Sequence, residues 1–348
     1  MDKTALQPSE STDGKDAAMT AVTQRRYGSS DVFNIETIPM PEIGDQQVLI
    51  EVHAAGVDRG VWHLMTGLPY LVRLAGYGLT KPKNPVPGMD VSGRVVATGD
   101  SVTRVAVGDE VFGIASGAYA QYVAADEAKL SHKPENVSFE SAAVAAISGI
   151  TALQALTEVA GVEAGQSVLV IGASGGVGSY AVQIARALGA DVTGVASAAK
   201  ADVVRDLGAE FIAYDGGEAG SSYLDGSRRF DVIVDAGGRN PTRRLRRALA
   251  PRGTLVFVGG EDGNRFTGGV GRQMRAAAMS PFIKQRLAMF ISQESHRWID
   301  RLADLMSSAA VVPVLDRTYA LDETPRAVDD LASGRLKGKA AIVVRPRG

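Results

Sequence analysis

One stretch of this chain constrains its fold more than any other. An apolar run, Ser167 to Ile171, passes straight into Gly172-Ala173-Ser174-Gly175-Gly176-Val177-Gly178 and then into an amphipathic segment, Tyr180 to Leu188. A short apolar run reads as a strand buried on both faces, and the change to helical periodicity after a glycine cluster is the sequence form of a βαβ unit. Asp191 to Ser197 supplies the returning strand. In such a turn the middle glycine lets a diphosphate approach the backbone, the last lets helix pack on strand, and the first helical amides face the phosphates. Gly175 and Gly178 suit those two roles, whereas Ala173 stands where the first glycine of the usual pattern would be. Ala173, Ser174, Gly175, Gly176, Val177 and Gly178 are therefore candidate dinucleotide contacts. The alternative for the same residues is a close-packed turn that holds no ligand.

The end of the second strand bears on which dinucleotide is held. A carboxylate there bonds the ribose 2′-hydroxyl of NAD and repels the 2′-phosphate of NADP. Here the chain reads Val195-Ala196-Ser197-Ala198-Ala199-Lys200, without a carboxylate. Ser197 can donate a hydrogen bond and Lys200 can set a positive charge beside a phosphate, which favours NADPH. Asp202 lies further into the next helix, where an acid suits the N-terminus anyway. The competing reading of Lys200 is an ordinary exposed lysine at a helix start.

The alternation of strand and helix continues past this unit. A helix over about 200–207 is followed by strand runs Phe211–Tyr214, Phe230–Gly237 and Thr254–Gly260, with the basic helix Arg243–Ala250 between the last two. A sixth strand near Arg286–Ser292 and a helix over about 294–307 complete an α/β, doubly wound parallel sheet. The half before Ser167 differs: Gln47–His53, Val91–Val96, Glu110–Ile114 and Gln121–Ala124 read as short strands between long loops. The final segments, VVPVLDRTYA and GKAAIVV, read as strands returning to that first half. The expected layout is a disordered tail at 1–20, a β-rich domain at 21–144 and 310–348, and a nucleotide-binding domain at 145–309.

Composition removes several classes. Lys plus Arg number 37 and Asp plus Glu 39, a net charge of −2, so no overall basic field exists to hold nucleic acid or an anionic membrane. Arg243, Arg244, Arg246 and Arg247 flank Leu245, Ala248 and Leu249, which reads as a solvated helix with one apolar face. The chain has no cysteine and four histidines, so thiolate, disulfide and Cys-based zinc chemistry are excluded. The first twenty residues have no apolar run of signal-peptide type, and the apolar stretch Ala142–Leu156 is too short for a bilayer. A cytoplasmic protein is expected, with Met19 an alternative start.

The segments QQVLIEVHAAGVDRGVWHLMTG, PVPGMDVSGRVVATGDSVTRVAVGDEVFG, GAYAQYVAADEAKLSHKP, ISGITALQAL, VLVIGASGGVGSYAVQIARALGADVTGV and GKAAIVV together resemble the medium-chain dehydrogenase/reductase superfamily, specifically its zinc-independent quinone oxidoreductase-like branch. The resemblance runs from about Ala21 to Val344. It implies a GroES-like catalytic domain interrupted by a Rossmann domain, an active site in the cleft between them, and a homodimer formed through the Rossmann sheets. In zinc-dependent members three ligands hold a catalytic metal; the corresponding positions here are Asp58, Met89 and Ser148, which make no plausible zinc site. The implied activity is hydride transfer from NADPH to a quinone or an α,β-unsaturated carbonyl, the cofactor carrying the hard chemistry.

Asp58, Arg59 and His63 are the catalytic candidates, Arg59 to stabilise an oxyanion and His63 to relay a proton. Against this, Asp58 and Arg59 could form a structural ion pair and His63 a satisfied, partly buried histidine. Tyr70 and Tyr77, in the loop Leu68–Gly88, are candidates to wall a flat substrate pocket, or only to pack that loop. Thr151 is implied near the nicotinamide and Val258 and Gly259 under its ribose, while Arg335 and Lys337 are candidates to reach the cofactor phosphate, or to be surface charge alone. The order Tyr214-Asp215 departs by one residue from the relatives' pattern, which puts the tyrosine's role in doubt. A different class of reading is a cofactor-binding redox sensor or structural protein with little turnover.

Overall fold

The structure is a computed structural model describing residues 17–214, 222–260 and 264–345. Residues 1–16 of the expected tail, and Asp215, lie outside the described residues. Strand β1 (Ala18–Gln24) begins inside the stretch read as tail: Met19 is buried against Ala21 and Ala120. It pairs antiparallel with β2 (Phe33–Pro39). Next come β3 (Gln47–Val57), β4 (Asp90–Thr98), β5 (Glu110–Ile114), β6 (Tyr122–Asp126) and β7 (Leu130–His132). Along β3 the alternation is kept, with Val48, Ile50 and Val52 buried on one face, as a period of two requires.

The second sheet holds β8 (Ser167–Ile171), β9 (Asp191–Ala196), β10 (Glu210–Ala213), β11 (Phe230–Asp235), β12 (Leu249–Phe257) and β13 (Arg286–Met289). They are parallel and ordered β10-β9-β8-β11-β12-β13, the Rossmann arrangement. The uninterrupted apolar run of β8 is explained by its central place. Val168 and Val170 point into one core cluster, Leu169 and Ile171 into the other. Each such side chain contributes roughly 1.5–3 kcal/mol by burial. The strand order reverses between β8 and β11, and a crevice opens there at the carboxyl ends of the strands. The basic helix, Thr242–Ala248, buries Leu245 and Ala248.

After the helix His296–Ser307 the chain returns to the first sheet as β14 (Leu315–Ala320) and β15 (Lys339–Val343). β15 lies antiparallel to β3, so the first sheet is ordered β14-β15-β3-β4-β5-β7, with β6 also on β3. That return sets Lys339, the first residue of β15, where the GroES-like part meets the glycine loop. Among the described residues no helix is long and apolar enough to cross a membrane.

Candidate active site

A cleft of about 750 Å³ runs between the two sheets, lined on one side by Asp58, Arg59 and His63 and on the other by the glycine loop. The 12-residue helix Gly176–Ala187 starts at Gly175, which provides no side-chain cap, so the first amides are open to an anion. Gly172 has φ 85°, a left-handed conformation that costs glycine nothing. A side chain at Gly178 would collide with the Gly172 carbonyl, which accounts for the last glycine of the motif. These features fit a dinucleotide's diphosphate. Ser174, Gly175, Gly176, Val177 and Gly178 all line the cleft. Ala173 does not: it is fully buried, pressed toward Gly194 of β9, and its methyl serves the core.

Ser197, Lys200, Tyr214, Thr151, Val258 and Gly259 also line the cleft. The Lys200 ammonium donates to the Leu336 carbonyl at 2.6 Å, and burial holds its pKa below the usual lysine value. Thr151 Oγ1 donates to the Ile147 carbonyl at 2.6 Å and lies 3.3 Å from Ser292 Oγ. Gly259 approaches the Ala236 carbonyl so closely that no Cβ fits, and Gln273 Nε2 donates to its carbonyl at 2.9 Å.

Asp58 caps the helix Arg59–Thr66, Oδ1 accepting from the Val61 amide at 3.0 Å. Its Oδ2 is buried without a hydrogen-bond partner. The Arg59 guanidinium lies 5.6 Å from the Trp62 ring centroid. His63 Nδ1 is 2.7 Å from the Leu68 carbonyl, a contact in which Nδ1 donates and the other ring nitrogen is left for the cleft. Trp62 and Met65 pack into the core as their positions suggest.

Besides Ala173, the sequence candidates Tyr70, Tyr77, Arg335 and Lys337 fall outside the cleft. The Tyr70 ring packs edge-on against Phe266 at 5.4 Å, and the Tyr77 carbonyl accepts from the Tyr27 hydroxyl at 3.3 Å. Neither tyrosine lines the cleft; both fasten their loop. Arg335 turns outward, pairing with Asp330 at 2.9 Å and donating to Ser333 Oγ at 2.8 Å.

The sequence reading missed Lys339 and Asp90. Lys339 is 2% exposed yet lines the cleft, its Nζ 3.2 Å from Ser148 Oγ and 3.5 Å from Asp90 Oδ2. Asp90 Oδ1 accepts from the Ile147 amide at 2.8 Å. Burial raises the Asp90 pKa to about 7, with Lys339 pulling it down and Asp58 pushing it up. Nothing in the run GKAAIVV marks Lys339, because a lysine is equally ordinary at an exposed strand start. Asp58, Met89 and Ser148 do not suit zinc: one Asp58 oxygen is already a helix cap, and Ser148 Oγ faces an ammonium. Among the described residues no group of three His, Cys, Asp or Glu side chains is placed to hold a metal ion.

A parallel nucleotide-binding sheet, a GroES-like partner sheet and a cleft that joins a diphosphate loop to a polar wall define a nicotinamide-dependent oxidoreductase. The comparisons agree. The family described as "Alcohol dehydrogenase GroES-like domain" matches residues 44–135 and that described as "Zinc-binding dehydrogenase" matches 207–342. Quinone oxidoreductase of Sus scrofa is 30% identical over 343 residues, covering 94% of this chain and 98% of that protein. 2-Methylene-furan-3-one reductase of Solanum lycopersicum is 30% identical over 340 residues, covering 93% and 79%. A mycobacterial protein solved in complex with NADPH superposes with a TM-score of 0.79 at 26% identity, covering 94% of this chain and all of that one. The chain belongs to the medium-chain dehydrogenase/reductase superfamily, in its quinone oxidoreductase-like branch.

Proposed function

We propose that this oxidoreductase transfers hydride from NADPH to a quinone or an α,β-unsaturated carbonyl, without a metal ion. The observation that carries the reading is the cleft itself, which joins an uncapped helix N-terminus to a polar wall of Asp58, Arg59, His63 and Ser148. When bound, the cofactor supplies the hydride. The open amides after Gly175 hold its diphosphate, and Ser197 with Lys200 reads the 2′-phosphate at a strand end that has no carboxylate. Phe290 gives the cleft a half-buried apolar wall beside the substrate. Arg59 and His63 stand where charge develops on the acceptor oxygen, and the acceptor gains one proton with the hydride.

The β13 edge of the Rossmann sheet, flanked by the exposed Phe282 and Ile291, is the surface through which two copies pair. Sedimentation analysis tests it. The activity is tested by following NADPH and NADH oxidation against ortho-quinones, para-quinones and alkenals. Saturable, NADPH-preferring turnover is expected with one of the two acceptor classes; tight NADPH binding with no turnover across the panel would sink the proposal.

A further inference from the structure

Ser148 is the group in the cleft whose surroundings the proposed reaction has not yet used. Its hydroxyl accepts from the Lys339 ammonium at 3.2 Å, and its own proton has no acceptor among the described residues. It sits in the first turn of the nine-residue helix Ala146–Gln154, which begins at Ala145 without a side-chain cap. The positive charge acting on this oxygen is the ammonium that donates to it, magnified by the low-dielectric surroundings; the helix N-terminus adds little, because its Ile147 amide already donates to the Asp90 carboxylate. Asp90 does not line the cleft; it stands behind Lys339 and fixes it. Gly176 leaves the passage that the lysine needs, since a Cβ there would stand 3.1 Å from Lys339 Cδ and 3.2 Å from Ser148 Oγ.

We propose that Ser148 is a catalytic hydrogen-bond donor, aimed into the cleft and charged from behind by Lys339 as its positioning residue, and that it receives the oxygen of the acceptor. The inference rests on the hydride-transfer reading above. As the donor's C–H bond breaks and a new C–H bond forms on an enone, the C=C electron pair shifts and the carbonyl pair moves onto oxygen. The donor loses two electrons, the acceptor gains them, and the enolate takes its proton from solvent. A quinone gives the hydroquinone anion by the same count. In each case Ser148 O–H donates to the oxygen as its charge grows. Asp58 also lines the cleft with a buried carboxylate, so without Lys339 this wall would repel an oxyanion. Arg59 and His63 are the other charged or titratable groups on that side.

The probe is 4-nitrophenol, whose phenolate stands in for the developing oxyanion and absorbs in the visible. Bound to the wild-type protein with NADP, it is expected to ionise about one pH unit below the free dye, a tenfold shift. Ser148→Ala should abolish the shift while NADPH affinity, read by cofactor fluorescence, stays within about twofold. Should Lys339→Met alone unfold by stranding Asp90, the paired variant Lys339→Met with Asp90→Asn keeps the charge balanced and should also lose the shift. A wild-type protein that leaves the dye's ionisation unchanged, or a Ser148→Ala protein that keeps the full shift, overturns the assignment. Failure of every quinone and enone to oxidise NADPH would instead count against the hydride-transfer reading, and the dye result is independent of it.

Discussion

The Lys339 ammonium lies 3.5 Å from the Asp90 carboxylate in a place where neither residue meets solvent, at 2% and 0% exposure. A pair buried so deeply is weak evidence for stability, because desolvation offsets the attraction. For Asp90 desolvation outweighs the attraction of Lys339, and burial raises its pKa to about 7. Between the ordinary aspartate value and 7 the folded state holds a proton that the unfolded chain has released. Stability from this group therefore falls as pH rises through that window and levels off above it. Urea unfolding across pH 4–8 should show the decline in the wild-type protein and a flatter profile in Asp90→Asn. A wild-type profile that instead climbs steadily from pH 5 to 7 with the same slope in the variant would be incompatible with a protonated Asp90.

Gly178 faces the Gly172 carbonyl with no room for a methyl group. Gly178→Ala should push the helix Gly176–Ala187 off β8 and cost about 1–3 kcal/mol, as overpacking does. NADPH affinity should fall along with the melting temperature. Gly175→Asp has a different signature: its Cβ would sit 3.2 Å from the Gly172 carbonyl oxygen, a tight but adjustable contact, so the fold should survive. The added carboxylate then meets the diphosphate directly, and binding of both NADPH and NADH should be lost. Calorimetry on the two variants separates these outcomes, and an intact cofactor affinity in Gly175→Asp would mean that the diphosphate lies elsewhere.

Lys200 donates to the Leu336 carbonyl at 2.6 Å while lining the cleft. A 2′-phosphate would take over that ammonium as a charge-assisted partner, a contact worth roughly 1.5–3 kcal/mol. Lys200→Ala should accordingly weaken NADPH at least tenfold and NADH less than twofold. Equal losses for the two cofactors would identify Lys200 as a structural prop for the loop ending at Leu336.

The parts of this molecule that were legible from sequence are those governed by local periodicity. β8 could be read because a central parallel strand is apolar on both faces, and Gly178 because its packing partner is only six residues away. Asp58, His63 and Thr151 were placed by resemblance, and all three line the cleft. What escaped depends on long-range closure. Lys339 meets Ser148 across 191 residues, brought there only when β15 returns to β3. Arg335 lies four residues earlier, but its partner is Asp330 on the preceding helix, and that short-range ion pair turns it from the cleft. Tyr70 looked like a pocket wall because aromatic residues in long loops often are; its ring instead found Phe266 in the other domain.

That last contact is a clasp between the two domains. The Tyr70 amide donates to the Arg265 carbonyl at 2.8 Å and the Leu71 amide to the Phe266 carbonyl at 3.0 Å, while the rings of Tyr70 and Phe266 meet at 72°. Phe266 is 70% exposed, so its ring contributes no more than an exposed aromatic pair, about 0.5–1.5 kcal/mol. Removing it should loosen the clasp without touching either core. In Phe266→Ala the amides of Tyr70 and Leu71 should exchange with solvent about two- to thirteenfold faster, the range that this energy spans, while those of β8 and β11 keep their protection. Hydrogen exchange resolved by fragment is the measurement. Unchanged exchange at Tyr70 and Leu71 would show that the two backbone hydrogen bonds hold the loop by themselves, and faster exchange throughout β8 and β11 would show that the clasp supports the whole Rossmann sheet.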